Sequence, residues 1–453
     1  MLVSTKSSPG QMPILPKTNP ASATAAMPAA PQRARIPRQI TLDKAEDILL
    51  QNNLTIIASK YGVDLARASR LVASLKPNPI VTFGAEQFDV AHPLRQIFST
   101  NSNVAANKFY TLRFDQVFER GNKRELRTAA ADFQLRAAEA QVLDATRQQM
   151  LQLKQAFTGA VLARENVRVA NENLYLINST EQLIRLHVST GDTAEWDLIK
   201  FQANRVQYQR DLVSAQLTYQ QSTRDLLNLM GAQPSDVSPT VTTGASQVAH
   251  ELADAPLEVV GDLGVKPVDL QLDQLQQTAL ANRPDFIAAE RALGAAQKNL
   301  ELAYALRHRD VDIAMEYQRN GGEDTLGVTV SIPLFIHNNH EGEIDQALAQ
   351  LSVARTQLTQ VRLQAMTDVD KAFKAYQLSK QMLDIYTVET LFKAEQSFNI
   401  AGVSYKEGAS SLLELQDAQR TYNQTRVSYN QAHFDYRMSL YQIEAATGKQ
   451  FVK

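Results

Sequence analysis

The chain of 453 residues is nearly neutral, with a net charge of −2, and 44% of its residues are apolar. This balance lacks the basic surface that nucleic-acid binding requires, so we expect no nucleic-acid partner. The sequence has no cysteine, which excludes disulfide bonds, thiolate metal sites and a cysteine-linked lipid anchor. No run of about 18 apolar residues is present, so no transmembrane helix is predicted, although alternating strands in a membrane would leave only a weak hydropathy signal.

The first 38 residues are unusual in composition. They carry seven of the 16 prolines and many alanines and serines. They contain no apolar stretch typical of a secretory signal. We therefore expect residues 1–38 to be disordered.

The pattern that follows predicts one helix, two strands and a very long helix. Thr41 is a favourable N-cap for a helix over residues 42–75, and alternating apolar residues predict strands at about 79–88 and 109–118. Residues 119–188 contain no proline, and their apolar residues recur at the 4, 3 spacing of a coiled coil. About 70 helical residues would extend roughly 105 Å.

The turn Gly191-Asp192-Thr193 is expected to reverse the chain. Thr193 can cap a return helix, which would end before Gly231. Residues 232–270 are rich in Pro, Gly, Val, Thr and Asp, and we expect them to form a linker along the outside.

The same order of elements then repeats. Residues 42, 43 and 52 match residues 272, 273 and 282 at one constant offset, and residues 191 and 231 match residues 408 and 448 at a second. We therefore predict two structural repeats, 39–231 and 271–453. In the second repeat, strands are expected at about 310–318 and 325–333, followed by a long helix from about residue 343 to residue 405.

Each predicted strand has one apolar and one polar face. In a bilayer the open edges of a four-stranded sheet would not be tolerated, so the strands would have to close into a barrel. Three chains would supply twelve strands, which is wide enough for a polar lumen. The alternative is a soluble sheet with one face in water.

Over residues 40–448 the chain resembles the TolC-type outer-membrane efflux family in its two repeats, strand pairs and glycine turns. Residues 332–342, IPLFIHNNHEG, are similar to the PLF–x–x–N–x–x–G corner of the branch that serves heavy-metal and related resistance pumps. The resemblance implies a mainly α fold with a small β part. Three chains would form an α-barrel and a 12-stranded transmembrane β-barrel, with four strands from each chain.

The function implied by this resemblance is passive conduction through the outer membrane of a Gram-negative-type bacterium, in a channel that extends into the periplasm. Its partners would be two further copies of the chain, outer-membrane lipid, a periplasmic adaptor (membrane fusion) protein and an inner-membrane pump of the RND type. The alternative is a soluble, elongated coiled-coil scaffold or adaptor without a membrane barrel. The sequence has no nucleophile, phosphate-loop or dinucleotide motif, so we predict neither an enzyme nor a cofactor.

The resemblance places candidate functional residues at the two glycine turns. Asp197, Tyr405 and Asp417 fall on positions that hold the periplasmic aperture shut in the family. The turns Gly191-Asp192-Thr193 and Gly408-Ala409-Ser410 correspond to those that dock the adaptor. Ser410 replaces a basic residue of the family, and we expect it to cap the second return helix.

Acidic residues cluster at both turns, and three copies could arrange them in rings that favour cations. Alternatively, these carboxylates only stabilise helix N-termini. His337 and His340 have a spacing at which two histidines can share a metal ion. No third ligand is evident, so no metal site is predicted.

Overall fold

The computed structural model describes residues 35–86, 109–238, 255–320 and 323–451. The predictions for residues 1–34, the loop at 87–108 and the linker segment 239–254 lie outside the described residues. Within the predicted disordered segment, Ile36 is ordered by packing, because it is buried and its N–H donates to the Asp236 carbonyl at 3.0 Å.

Helices dominate the chain, and the expected mainly α class with a small β part is confirmed. The helices are α1 (Leu42–Asn52), α2 (Leu54–Ser74), α3 (Lys123–Thr190), α4 (Glu195–Leu229), α5 (Leu272–Asn282), α6 (Pro284–Ala305), α7 (Glu341–Ile385), α8 (Val388–Lys406) and α9 (Leu412–Thr447). The strands are β1 (Gln39–Ile40), β2 (Ile80–Glu86), β3 (Phe109–Phe118), β4 (Glu258–Val259), β5 (Val311–Asn320) and β6 (Glu323–Ser331). Within the described ranges, no helix is both long enough and apolar enough to cross a membrane.

Four strands form one antiparallel sheet in the order β2–β3–β5–β6. Cross-strand neighbours in register share a face of a sheet. Two apolar rows cross one face in this way: Phe83, Leu112, Tyr317 and Leu326, then Val81, Phe114, Met315 and Val328. All eight side chains are exposed, between 39% and 72%.

The opposite face of the sheet is polar. Arg113 pairs with Asp115 of its own strand at 2.7 Å and reaches Glu316 of β5 at 3.7 Å. The two faces therefore differ sharply in chemistry, as the alternating sequence predicts.

The long helices lie side by side in the order α4–α3–α9–α8. Helix α3 packs against α4 on one side and against α9 on the other, and α9 packs against α8 and α7. Helix α4 packs mainly against α3, and helix α8 packs mainly against α9. This four-helix layer therefore has two edges, α4 and α8.

Each repeat has a joint where the predicted single helix is broken in two. The prediction of one helix over 42–75 is wrong, because Asn53 ends α1 and caps α2 by accepting hydrogen bonds from Thr55 and Ile56. The Asn53 amide also donates to the Leu229 carbonyl at 2.8 Å and to Gln149 at 3.0 Å. These contacts stabilise the break and fix it against α3 and α4.

Arg283 occupies the equivalent joint of the second repeat. The residue is 2% exposed, and its guanidinium donates to Asp285 at 2.6 Å, to Asp368 at 3.0 Å and to the Ala446 carbonyl at 3.4 Å. The first joint is thus made by neutral amides and the second by buried charges.

The second long helix is also broken, so the expected continuous helix over 343–405 is wrong. Helix α7 ends at Ile385, and Thr387 caps α8 by accepting a hydrogen bond from the Thr390 N–H at 3.3 Å. The Thr390 hydroxyl donates to the Ile385 carbonyl at 3.0 Å. Local side-chain bonds of this kind compete with the helical backbone pattern.

Replacing Arg283 with alanine should destabilise the chain by about 3 kcal/mol, because it leaves two partly buried carboxylates without their charge partner. Thermal unfolding followed by circular dichroism measures this change. Arg67→Ala is the matched control, since the Arg67–Asp64 pair is more than 60% exposed and contributes at most about 0.5 kcal/mol.

The stability lost on replacing Arg283 with alanine should depend on pH. Burial alone would raise the pKa of Asp285, but the hydrogen bonds and charge of Arg283, with Arg147, hold it below its usual value of 3.8. A lowered pKa contributes stability above the unfolded-state value and loses it as the pH falls through the folded-state value. The difference in stability between wild type and Arg283→Ala should therefore shrink below about pH 4. Equal thermal unfolding midpoints of the two proteins at pH 7 would contradict the role of Arg283.

Candidate functional site at the helical tips

Helices α3 and α8 end in turns of the same geometry. In the first, the Asp192 N–H donates to the His187 carbonyl at 2.9 Å and the Gly191 N–H to the Val188 carbonyl at 3.2 Å. The second turn has the same two bonds, at 2.8 and 3.1 Å. Gly191 and Gly408 have φ values of +84° and +70°, which glycine adopts at little cost. The expected glycine turns are present at both predicted positions.

The residues that cap the return helices differ from the prediction by one position. Ala194, not Thr193, is the N-cap residue of α4 and makes no side-chain cap. Ser411, not Ser410, caps α9, where its hydroxyl accepts from the Glu414 N–H and the Glu414 carboxylate accepts from the Ser411 N–H. Spacing alone could not distinguish two adjacent candidates in each turn.

A polar cleft of about 640 Å³ lies between the two turns. It brings together most of the predicted tip residues. Its lining includes Asp192, Thr193, Asp197, Tyr405, Gly408 and Ser410. Two turns that are more than 200 residues apart in sequence therefore form one surface.

Tyr405 is the buried centre of this surface. It is 5% exposed, and its ring stacks on the His187 ring with centroids 5.5 Å apart and planes 12° apart. The buried hydroxyl lacks a hydrogen-bond partner of regular geometry among the described residues. Burial raises the pKa of Tyr405, the Thr193 hydroxyl acts in the opposite direction, and the Asp197 carboxylate raises it further. Tyr405 is therefore neutral at physiological pH.

The structure does not bring Asp417 into this cleft within one chain. Asp417 lies on α9, is exposed and pairs with Arg420 at 2.7 Å. It lines a neighbouring groove with Phe201 and Tyr208. Asp197 and Tyr405 thus share a site, whereas Asp417 has a separate partner.

A buried carboxylate joins α3 to α4 above the first turn. The Glu181 side chain is 6% exposed and accepts hydrogen bonds from Arg205 at 2.8 Å, Gln202 at 2.9 Å and Arg185 at 2.7 Å. The Arg205 and Gln202 hydrogen bonds outweigh burial and, with Arg185, hold the pKa of Glu181 at about 2. This cluster ties α3 to α4 close to the first turn.

Sequence reasoning missed both His187 and Glu181. The sequence could have predicted the Glu181–Arg205 pair. The two residues lie at similar distances on either side of the turn that begins at Gly191, so they face each other in a helical hairpin. The His187–Tyr405 stack had no such signal, because its members belong to different repeats.

His337 and His340 do not combine with further ligands. His340 has a left-handed backbone with a φ of +58°, and its Nδ1 lies 3.2 Å from a Glu343 carboxylate oxygen. Among the described residues, no group of three or more His, Asp or Glu side chains could hold a metal ion.

Glutamine at Glu181 should lower stability at pH 7 by about 2 kcal/mol, after allowance for the partial exposure of both arginines. Because the folded-state pKa of about 2 lies below the unfolded-state value, this contribution is complete above about pH 4.5 and is lost between there and pH 2. The difference between the thermal unfolding midpoints of wild type and Glu181→Gln should be less than half as large at pH 3 as at pH 7. Asp64→Asn, which removes an exposed pair with Arg67, should unfold at the wild-type midpoint at both pH values. A constant Glu181→Gln difference from pH 7 to pH 3 would contradict the shifted pKa.

Comparison with known proteins agrees with this architecture. Residues 275–449 match the outer membrane efflux protein family model. The cobalt-zinc-cadmium resistance protein CzcC of Cupriavidus metallidurans is 22% identical, over 90% of this chain and 89% of that protein. The pyoverdine export outer membrane protein OpmQ of Pseudomonas putida is 24% identical, over 85% of this chain and 81% of that protein.

Solved structures show the same fold. The outer-membrane channel OprN superposes with a TM-score of 0.70 at 20% identity, covering 90% of this chain and 89% of that chain. The outer membrane protein VceC of Vibrio cholerae gives a TM-score of 0.70 at 18% identity, covering 90% of this chain and 96% of that chain. The chain therefore has the fold of these outer-membrane channels, and its residues 275–449 resemble the outer membrane efflux protein family.

Proposed function

We propose that this chain is the outer-membrane channel component of a tripartite efflux or secretion system. It passively conducts substrates from an inner-membrane pump and a periplasmic adaptor to the exterior. The observation that carries this proposal is the sheet face whose two apolar rows are exposed in a single chain. An apolar patch of this extent marks a surface that meets a partner or lipid, and outer-membrane lipid is the occupant we propose.

The shape of the molecule supports a long conduit. Strand β3 ends at Phe118 and α3 begins at Lys123, so the helix leaves directly from the sheet. At 1.5 Å per residue, its 68 residues extend roughly 100 Å before the Gly191 turn. The apolar sheet and the tip cleft thus lie at opposite ends of α3, as expected for a protein held in one membrane and contacted from across the periplasm.

The edges of the helical layer support assembly of several copies. On α4, Trp196, Ile199, Val206, Val213 and Leu217 are between 54% and 69% exposed. Their spacing of 3, 7, 7 and 4 is that of a coiled-coil seam. On the other edge, α8 exposes Val388, Phe392, Ile400 and Val403 by 55% to 71%.

Contact between α4 of one copy and α8 of the next is heterologous, and such contacts close into a ring when the rotation allows. We propose a ring of three copies, which places twelve strands in one transmembrane barrel. Strands β2 and β6, the edges of the sheet, would then pair between copies and leave no open edge in lipid.

The tips are the proposed contact with the rest of the system. Gly191-Asp192-Thr193 and Gly408-Ala409-Ser410 would dock a periplasmic adaptor that serves an inner-membrane pump of the RND type. Asp197, Tyr405 and Asp417 would restrict the aperture. In this ring the acidic tip residues favour cations.

Aspartate at both Val206 and Val213 should abolish assembly, because it places charges in an apolar seam. Native mass spectrometry of detergent-purified protein should show single chains instead of a trimer. Ser214→Asp with Gln221→Asp is the matched control, since it puts two charges on the same helix, seven residues apart, at exposed positions outside the seam. A folded, water-soluble wild-type monomer would contradict the proposal and favour the coiled-coil scaffold.

Alanine at Asp197 or Asp417 should raise single-channel conductance or lower cation preference in planar bilayers, because each change removes carboxylates from the aperture in every copy. Glu301→Ala, which removes an exposed carboxylate on α6 far from the tips, should leave both properties unchanged. If conductance and selectivity stay at wild-type values in both aspartate variants, these carboxylates only stabilise their helices.

A further inference from the structure

The connection between α6 and β5 contacts both places where the sheet meets a long helix. On one side, the Asp310 carboxylate accepts hydrogen bonds from the Arg120 backbone N–H at 2.9 Å and from the Lys123 ammonium at 2.8 Å. Arg120 and Lys123 lie where β3 ends and α3 begins. This contact fixes the junction of β3 with α3 against the start of β5.

On the other side, the same connection contacts the junction of β6 with α7. The Arg309 guanidinium lies 5.7 Å from the centroid of the Phe335 ring, and Arg307 donates to the Asn339 carbonyl at 3.3 Å. Three segments that are distant in sequence therefore form one surface at the helix end of the sheet. The corner strip, as we call this surface, comprises residues 118–124, 307–310 and 332–339.

The corner strip has three arginines whose charge is not neutralised. Arg120, Arg307 and Arg309 are exposed, and their guanidiniums form no ion pair with a carboxylate among the described residues. Lys123, by contrast, is buried and paired with Asp310. The strip therefore presents three uncompensated positive charges in each chain.

Exposed apolar side chains lie in the same strip. Phe118, Ile332, Leu334 and Ile336 are 45% to 75% exposed. Phe118 lies opposite Val311 in the register of β3 and β5. Both residues are an even number of positions from the apolar rows of their strands, so they form the end of the apolar sheet face.

The arginines directly border this end of the apolar face. Arg120 stands two residues after Phe118, and Arg309 stands two residues before Val311. A basic edge therefore follows the apolar surface within one further repeat of the strand alternation.

The opposite end of the sheet has a different charge. Among the described residues there, Glu86, Glu323 and Asp324 are exposed carboxylates, and Arg319 lies 3.8 Å from Asp324. Within the described strands and their ends, the unpaired arginines therefore mark the helix end of the sheet.

The length of the strands relates the corner strip to a bilayer. Strand β5 has ten residues, which extend about 34 Å at roughly 3.4 Å per residue. A tilt of about 45° would reduce this length to roughly 24 Å across the membrane, close to the apolar band of about 25 Å in membrane barrels. The corner strip would then lie just outside the hydrocarbon, at the level of the lipid headgroups.

We propose that Arg120, Arg307 and Arg309 bind the phosphate groups of anionic phospholipid in the leaflet that faces the helices. This inference rests on the proposed function, in which lipid covers the apolar sheet face. A guanidinium can donate two parallel hydrogen bonds to one phosphate, and basic side chains near a membrane attract anionic lipid. A purely polar anionic partner would leave Leu334 and Ile336 uncovered, whereas the acyl chains of a phospholipid cover them.

Native mass spectrometry of the detergent-purified full chain with added phosphatidylglycerol measures the bound lipid directly. Arg120→Gln with Arg307→Gln and Arg309→Gln should weaken phosphatidylglycerol binding at least about fivefold, the contribution of one basic residue at a lipid surface. Wild type should also bind phosphatidylglycerol more strongly than phosphatidylcholine, whose headgroup has no net charge, and the glutamine variant should lose this preference.

Two further variants separate this site from a general effect of charge. Arg67→Gln with Arg210→Gln and Arg319→Gln is the matched control, because it removes the same charge from exposed arginines that already have carboxylate partners. It should bind phosphatidylglycerol as strongly as wild type does. Lysine at the three corner positions keeps the charge and should keep most of the preference for phosphatidylglycerol.

Arg120→Gln with Arg307→Gln preserves the contact between Arg309 and Phe335, so it tests the site without disturbing that contact. It should also weaken phosphatidylglycerol binding, and the thermal unfolding midpoint shows that the variant is folded. Wild-type binding in this variant, or an equal loss of binding in the control, would overturn the inference.

The wild-type chain distinguishes failure of this inference from failure of the proposed function. A trimer that requires detergent but binds phosphatidylglycerol no better than phosphatidylcholine would refute only the inference. A folded chain that is water-soluble without detergent would refute the proposed function, and the inference with it.

Discussion

Apolar surface that one copy cannot cover is the constraint on which the rest of the structure depends. The sheet exposes two full rows of large apolar side chains on one face. At the edges of the helical layer, α4 exposes a coiled-coil seam and α8 exposes large apolar side chains. Burial of such area is the main favourable term in folding and association. In the proposed assembly, lipid would cover the sheet face and further copies would cover the helix edges, so membrane insertion and ring closure would each bury apolar surface that one copy leaves exposed.

Buried polar clusters give this apolar framework its shape. Lys154 pairs with Glu444 at 2.8 Å where α3 crosses α9, and both side chains are 7% exposed. Asn53 and Arg283 fix the two helix breaks, and Glu181 ties α3 to α4. Removing one partner of a buried pair costs far more than removing an exposed pair. The tips, by contrast, combine a small buried cluster around Tyr405 with a polar cleft.

Much of the fold could be predicted because it follows from local patterns. Alternation located all four strands of the sheet within a few residues, and the absence of proline located α3. Gly191 and Gly408 end their helices as predicted, since a left-handed turn has few alternatives to glycine. The constant offset in sequence predicted the same order of elements in the second half of the chain.

The features that the sequence did not predict depend on contacts between residues that are distant in sequence. The break at Asn53 is stabilised by Gln149 and by the Leu229 carbonyl, 96 and 176 residues away, so a helical pattern over 42–75 could not reveal it. Asp417 matches a family position, yet its partner within the chain is Arg420. The His187–Tyr405 stack joins two repeats and has no signal in either sequence segment.

The central claim is that several copies close into one ring through the α4 and α8 edges while lipid covers the sheet. Electron cryo-microscopy of the full chain in lipid nanodiscs tests it most directly. We expect three copies around one axis, with Val206 and Val213 of each copy buried against α8 of the next and the rows containing Phe83 and Val81 facing lipid. A particle in which the α4 edge remains in solvent, or in which the apolar sheet face is covered by protein outside the bilayer, would contradict the account.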